Sequence, residues 1–304
     1  MSIRFYCLYS VKKMALNRFY VSRIRAFRIN TLTKSSLGLS SVPDRCILFW
    51  TLHRIFGTCT LVIYAAFFIL IDLPEVQRQI AEPLPWVLFF FQGFRHACLG
   101  MTLGYHRYFS HSAFKAKRWI EFLFSYSCAA SNQGAMSWWA ANHRHHHVHC
   151  DTQEDPHSPV ARSIPYAWMG WSYDPKNALR TIKLNYPETV WLDQWGFLVP
   201  WFEWLVVWYL SGSQAFSTLV VLLTAGLSPV GTLFFNVAAH GGKPDQDGCT
   251  ARKYRNFSAY ILGEIDHKDH HDHPAKAKRP GPDLPYRLVL RPLARLGVVW
   301  DLRK

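Results

Sequence analysis

The chain has 304 residues, of which 50% are hydrophobic and 16% aromatic, and it carries a formal net charge of +14. That charge admits nucleic acid as a partner, but no helix-turn-helix, zinc-finger or RNA-binding signature accompanies it, and the basic residues stand beside apolar blocks, as the flanks of membrane segments do. Seven scattered cysteines, odd in number and without a CxxC pair, point to a reducing compartment and away from both a disulfide framework and a zinc ribbon.

Residues 1–45 form a basic arm. Arg4, Lys12, Lys13, Arg18, Arg23, Arg25, Arg28 and Lys34 precede the first carboxylate, Asp44. An acid-free, Ser-containing start is the composition of an organelle transit peptide and equally that of a disordered cytosolic arm. Residues 46–304 then read as one membrane domain.

Four apolar blocks follow: Ile55 to Ile71, Leu84 to Tyr105, Trp195 to Leu210 and Ala215 to Ala239. Their lengths approach the roughly 20 residues that span a bilayer as helix. The third is short and relies on its Trp and Tyr residues at the interface. Between the first two blocks, Asp72, Glu75 and Glu82 face one base, Arg78, and the Ser211–Gln214 connector is uncharged. Lys and Arg concentrate in the N-terminal arm, the middle segment 106–194 and the C-terminal tail. The positive-inside rule therefore places both termini and the middle segment on the cytosolic or stromal side. The middle segment carries Trp119–Tyr126 and Met136–Ala141, which fit helices lying on the membrane surface. The expected fold is all-α and integral to the membrane: four transmembrane helices in two hairpins, with a helical cap on the cytosolic side.

Histidine is concentrated beside these blocks. His106 and His111 follow the second span; His143, His146 and His147 lie in the middle segment. Asn236 and His240 end the fourth span, and His267, His270 and His271 follow it. On a helix, residues at i, i+3 and i+4 share a face. Each triplet therefore points one way, as do Asn236 and His240. Nine histidines and an Asn exceed the needs of one metal, so two metals are the economical reading. All-nitrogen sites suit Fe, Cu, Zn or Ni rather than Mg or Ca. Asp151, Asp155, Glu264, Asp266 and Asp269 stand close enough in sequence to hold the imidazoles. A lone His such as His53 or His96 is more often a packed side chain than a ligand.

At these residues the sequence resembles the membrane fatty acyl desaturases, closest to the Δ9 acyl-CoA (stearoyl-CoA) type, from about residue 50 onward. Gly100-Met-Thr102-Leu-Gly104-Tyr-His106-Arg107 resembles the family's GxTxGxHR stretch, and Trp139 to His147 its WxxxHRxHH box. Asp155-Pro-His157 followed by Gly170-Trp171, and Arg255-Asn256 followed by Leu262-Gly263-Glu264 and His267 to His271, resemble two further stretches. The departures are Asn142 for an Asp, Trp168-Met169 for a His-containing pair, Ile265-Asp266 for Gly-Trp or Gly-Phe, and His273 for a Phe. They fall near where the family holds the acyl carrier.

The resemblance implies that His106, His111, His143, His146, His147, His240, His267, His270 and His271 ligate two irons and that Asn236 holds a metal-bound water. His145, His149, His157 and His273 fall off the ligand positions and read as supporting or surface residues. The implied reaction uses O2 to remove two hydrogens from a long-chain acyl substrate held in an apolar tunnel, whose far end is shaped by Phe94 and Cys98. Neither a haem-binding HPGG module nor a flavin signature is present, so electrons come from an external donor, cytochrome b5 or ferredoxin. The implied location is the endoplasmic reticulum, with a plastid or bacterial inner membrane as alternatives. Rival readings are a di-iron lipid hydroxylase or ketolase, and a non-catalytic metal-binding membrane protein. A metalloprotease is disfavoured because HExxH and HxxEH are absent. Arg95, inside the second block, needs a partner at that depth, and Glu203 in the third block is the expected one.

Overall fold

A computed structural model describes residues 44–304; the basic arm lies outside the described residues up to position 43. Nearly all regular structure is helical. Helix α1, Cys46–Ile71, is 26 residues long and bends at Gly57, whose φ of −87° and ψ of −128° interrupt the helical run. The acidic connector is itself a helix, α2 (Leu73–Ala81), begun by Asp72, whose side chain accepts a hydrogen bond from the Glu75 amide at 3.3 Å. Pro74 in its first turn suits that start. Helix α3, Pro83–Arg95, runs on without a break into a π-helical stretch, His96–Ser110.

The middle segment supplies α4 (Arg118–Ala130), α5 (Met136–Val148) and the short α6 (Ile164–Trp168). Helix α7, Pro187–Trp195, leads into α8, Val199–Ser211, which Gly212 ends in the left-handed region at φ 67°. Ser213 then accepts from the Phe216 amide and opens α9, Gln214–Ala239. Two short helices, α10 (Phe257–Leu262) and α11 (His267–Asp272), precede α12, Arg291–Arg295. Strand β1, Lys115–Ala116, pairs antiparallel with β2, Val299–Trp300, and pins the C-terminal segment beside the start of α4.

Of the four predicted spans, α1 and α9 are long and apolar enough to cross a bilayer by length and composition. The other two differ for identifiable reasons. Helix α3 with its π extension carries Arg95, His96 and Arg107. Helix α8 has 13 residues, about 20 Å, against a hydrocarbon core of about 30 Å. Large apolar side chains nonetheless stay exposed on α1, α3, α8 and α9, among them Ile63, Leu70, Phe91 and Tyr209.

Close helix contact explains the glycines before His106. A Cβ at Gly104 would lie 2.3 Å from Cys128 Sγ, and one at Gly100 would lie 2.6 Å from the Ser127 carbonyl. Any side chain there would push α4 away from the π stretch. Pro229 inside α9 removes the amide that the Ala225 carbonyl would otherwise meet. Asn132 reaches that carbonyl instead, its Nδ2 at 3.5 Å, so the buried oxygen keeps a partner.

The charge within α3 is paired as expected. Both terminal nitrogens of Arg95 donate to Glu203, at 2.8 and 2.7 Å, and Gln92 Nε2 donates to the same carboxylate at 2.9 Å. Replacing Glu203 by Gln would leave a guanidinium in an apolar setting without its anion. The expected result is a loss of about 3 kcal/mol, read as a lower melting temperature in detergent. An unchanged melting curve would show that Arg95 does not depend on this pair.

Candidate metal centre

The π winding sets the first two histidines. The His111 amide donates to the His106 carbonyl at 3.1 Å, an i→i+5 bond. Residues five apart therefore sit about one turn apart, and the two rings lie 4.9 Å centre to centre. On α5, His143, His146 and His147 turn inward from one face. On α11, His267, His270 and His271 do the same, and Asp266 caps that helix by accepting from the Asp269 amide at 3.2 Å. Asp266 also pairs with Lys253 at 3.0 Å. The carboxylate that replaces the family's aromatic residue thus starts the helix carrying the last three histidines.

His240 stands just beyond α9 in extended conformation (φ −103°, ψ 173°). Arg252 caps this end: its amide donates to the Ala239 carbonyl at 2.9 Å and its guanidinium to that of Ala238.

The nine histidines gather in two groups. Ring nitrogens of His106, His111, His143, His147 and His270 lie within 4.8 Å of one another, and so do those of His146, His240, His267 and His271. In the first group, Nε2–Nε2 separations are 2.9 Å for His106–His270, 3.0 Å for His111–His143 and 3.1 Å for His143–His147. Adjacent ligands around an ion at about 2.1 Å would be separated by about 3.0 Å. In the second group, the buried Nε2 atoms of His146, His240 and His271 and both ring nitrogens of His267 have no hydrogen-bond partner. A cation at each centre would take one nitrogen from each ring, so the residues present fit a pair of bound metals. Five nitrogens in one group exceed the four of a structural zinc site, and the all-imidazole set suits iron among other transition metals.

Three carboxylates hold the rings by their other nitrogen. Asp155 Oδ2 lies 2.8 Å from His146 Nδ1, Asp151 Oδ2 3.1 Å from His240 Nδ1, and Glu264 Oε1 3.4 Å from His106 Nδ1. Asp155 itself accepts from the amides of Asp151 and His157. Asp151 accepts from Ser158 and from both the amide and hydroxyl of Thr250. Of the five acids expected to support the rings, Asp266 and Asp269 do other work: the first caps α11, and the second accepts from Lys276 at 2.9 Å.

Burial, reinforced by neighbouring imidazoles, lowers the pKa of His143, His147 and His271 well below the ordinary histidine value. Neutral rings are the ligating form. Burial alone would raise the Asp155 carboxyl, but His146 and His157 beside it together outweigh that and hold it below the usual range. Glu264 is likewise drawn down to about 2, burial being overcome by Arg279 and His106.

Replacing Asp155 by Asn keeps the shape but weakens its hold on His146. The expected loss in metal affinity is about 10- to 100-fold, read by titrating metal back into stripped protein. Retention of full affinity would mean the Asp155 contact does not orient the ring.

Asn236 and His240 do not share a partner. Asn236 Nδ2 donates to His157 Nδ1 at 2.8 Å, whereas His240 joins the second group. His157 is buried rather than superficial: its ring lies 4.3 Å from that of His146 and 4.8 Å from Trp171. Only the DPH stretch hinted at that position. His145 and His149 pair on the outer side of α5, ring centres 4.2 Å apart, and His273 is exposed.

A cavity of about 60 Å³ adjoins the histidines, lined by His106, His143, His267 and Asn236 among apolar residues such as Trp139 and Leu233. A second cavity, about 510 Å³, lies between α3, α9 and α10, and Phe94 is on its wall. Cys98 lines neither. It is buried with Leu103, Ile120, Phe124 and Leu290, a cluster against which Phe94 also packs.

The cysteine expectation is corrected. Cys150 and Cys249, 99 residues apart, form a disulfide. It ties the loop after α5 to the loop before α10, with Cys249 Sγ 3.5 Å from His271 Nδ1. Scatter along the sequence concealed a pair that the fold brings together.

Residues 81–288 match the family model described as fatty acid desaturase. A probable lipid desaturase, ADS3.2, chloroplastic, of Arabidopsis thaliana is 40% identical over 95 residues, covering 31% of this chain and 24% of the relative. A probable acyl-CoA desaturase of Schizosaccharomyces pombe is 29% identical over 198 residues, 60% of this chain and 40% of the relative. Delta-9 acyl-lipid desaturase 2 of Arabidopsis thaliana is 28% identical over 204 residues, 64% of this chain and 65% of the relative. The matched stretches thus span less than two thirds of these relatives' lengths.

Proposed function

The chain belongs to the fatty acid desaturase family, and from that premise we propose that it is an oxygen-dependent acyl desaturase with two irons. His106, His111, His143, His147 and His270 would hold one iron, and His146, His240, His267 and His271 the other. The observation that carries this reading is the convergence of nine imidazoles, six of them buried and three partly buried, into two adjacent groups beside an apolar-walled cavity. The irons, when bound, supply the O2-derived oxidizing power that takes two hydrogens from neighbouring methylenes, with two electrons from an external donor.

The protein's own residues position and exclude. Trp139, Leu233 and the other apolar residues of the narrow cavity hold a short stretch of chain against the imidazoles, which limits reaction to one methylene pair. The same walls keep bulk water from the reacting carbons. Asp151, Asp155 and Glu264 fix the ring orientations. Asn236, on the cavity wall, would hold a metal-bound water through its amide.

The finer parts of the proposal are a cis double bond at Δ9 and an acyl-CoA carrier. The sequence resemblance supports both, as does the name of the Schizosaccharomyces pombe relative; the second Arabidopsis relative carries an acyl-lipid name. We also propose that α3 and α8 complete a four-span bundle with α1 and α9. Termini and metal centre would then share the cytosolic or stromal side of an endoplasmic reticulum or plastid membrane, facing cytochrome b5 or ferredoxin as donor.

Expression in a desaturase-deficient yeast, with lipid products resolved by gas chromatography and mass spectrometry, tests the reading. Monounsaturated acyl chains are expected, and the double-bond position fixes the regiochemistry. Hydroxylated chains without unsaturation would overturn desaturation in favour of the lipid hydroxylase reading.

A further inference from the structure

Two cavities meet beside the metal centre. The small one at the histidines and the larger one between α3, α9 and α10 share Thr232 and Leu262 on their walls. From Asn236, at the small cavity, to Leu227, near the far end of the large one, is nine residues of α9, about 14 Å. The larger cavity is a seam rather than a closed tube: Phe90 on one wall is 65% exposed and Leu227 on the other 43%. Both exposed residues belong to helices that the proposed bundle sets in the bilayer.

The seam owes its width to missing side chains. Gly93 on α3 and Gly231 on α9 both line it, and a Cβ built on either meets nothing within 4 Å. Three of its four hydroxyls are occupied. Thr224 and Thr232 turn theirs back onto carbonyls of their own helix, as such residues do in apolar surroundings. Ser258 donates to Asn256, which leaves Ser228 as the one hydroxyl on the wall without a partner among the described residues.

We propose that this seam holds the methyl-terminal part of the acyl substrate and opens sideways to the bilayer, so that the end of a long chain passes from the protein into lipid. This rests on the desaturase reading and specifies it further. A tube closed at its end rejects a chain one or two methylenes too long. An open seam lets the extra methylenes enter hydrocarbon that solvates them as well as the protein does, so chain length is only weakly limited. Phe94 then shapes the path without ending it.

The test is photolabelling in phosphatidylcholine vesicles, using a stearoyl chain with a diazirine on its terminal carbon. The chain is supplied in one arm as the CoA thioester and in the other as a phosphatidylcholine ester. Labelled peptides from residues 89–97, 224–232 and 257–262, together with labelled bulk phosphatidylcholine from the thioester arm, are expected from whichever carrier is accepted. Labels confined to α4 or to the segment around Leu290, or protein labels without lipid labels, would overturn the open seam.

Gly231→Phe and Gly93→Phe fill the seam at positions with room for a side chain. Each is expected to reduce seam labelling, and to reduce conversion of stearoyl relative to myristoyl chains, by about tenfold. Unchanged labelling and an unchanged chain-length profile would overturn the proposal, as would equal loss at every chain length. Seam labelling in a protein that forms no double bond at any length would sink the desaturase reading and leave the seam assignment standing.

Discussion

Alanine at His271 is expected to abolish product formation and to remove about half of the bound metal. His271 belongs to the four-nitrogen group, where its Nε2 has no protein partner. With three imidazoles left, that group cannot reach the coordination of its five-nitrogen neighbour. The neighbouring group keeps all of its own ligands and should keep its ion. His143→Ala makes the reciprocal deletion, from the five-nitrogen group. Metal analysis of purified protein, beside product analysis in yeast, separates the outcomes. If both variants retained the parent's metal content, the two-group assignment would be wrong. If they lost metal but still desaturated, the metals would not be catalytic.

The second large effect lies one residue beyond His106. Arg107 is fully buried, and its guanidinium donates to Asp283 at 2.8 Å, to the Ala277 carbonyl at 3.0 Å and to the Gly263 carbonyl at 3.2 Å, with Glu264 at 3.4 Å. Asp283 also accepts from the amides of Arg279 and Tyr286, and Arg279 Nε lies 3.5 Å from Glu264. This network clamps the segment carrying His267, His270 and His271 onto the π-helical stretch that follows α3. Arg107→Met would strand buried carboxylates and is expected to cost about 3–5 kcal/mol. Arg107→Lys should recover only part of that, since one ammonium cannot reproduce the fork. Melting temperature and metal content should fall together. A normal melting temperature with normal metal would show that the clamp is dispensable.

Local spacing made much of the centre legible. His143, His146 and His147, and likewise His267, His270 and His271, share a helix face by periodicity alone, and α11 forms where its triplet demanded. The Arg95–Glu203 pair was legible for a different reason: a charge inside an apolar block has few partners, and the next block offered a carboxylate. The second and third spans were less so, because composition does not report how helix length or buried charge is accommodated. Cys98 was not placeable from the sequence, because spacing along one helix does not report which neighbouring elements pack over a side chain.

The sequence by itself determined the helical class and the positions of the four apolar blocks, which follow from composition, and it offered nine histidines, six of them in two triplets whose shared face follows from periodicity. Only the tertiary structure decided how those nine divide into five and four, since His270 joins His106 while its neighbour His271 joins His146 and His240. It alone paired Cys150 with Cys249, buried His157 against His146, and gave Arg107 its carboxylates. Each of these depends on which distant segments meet, and that is set by the packing of whole helices rather than by local spacing.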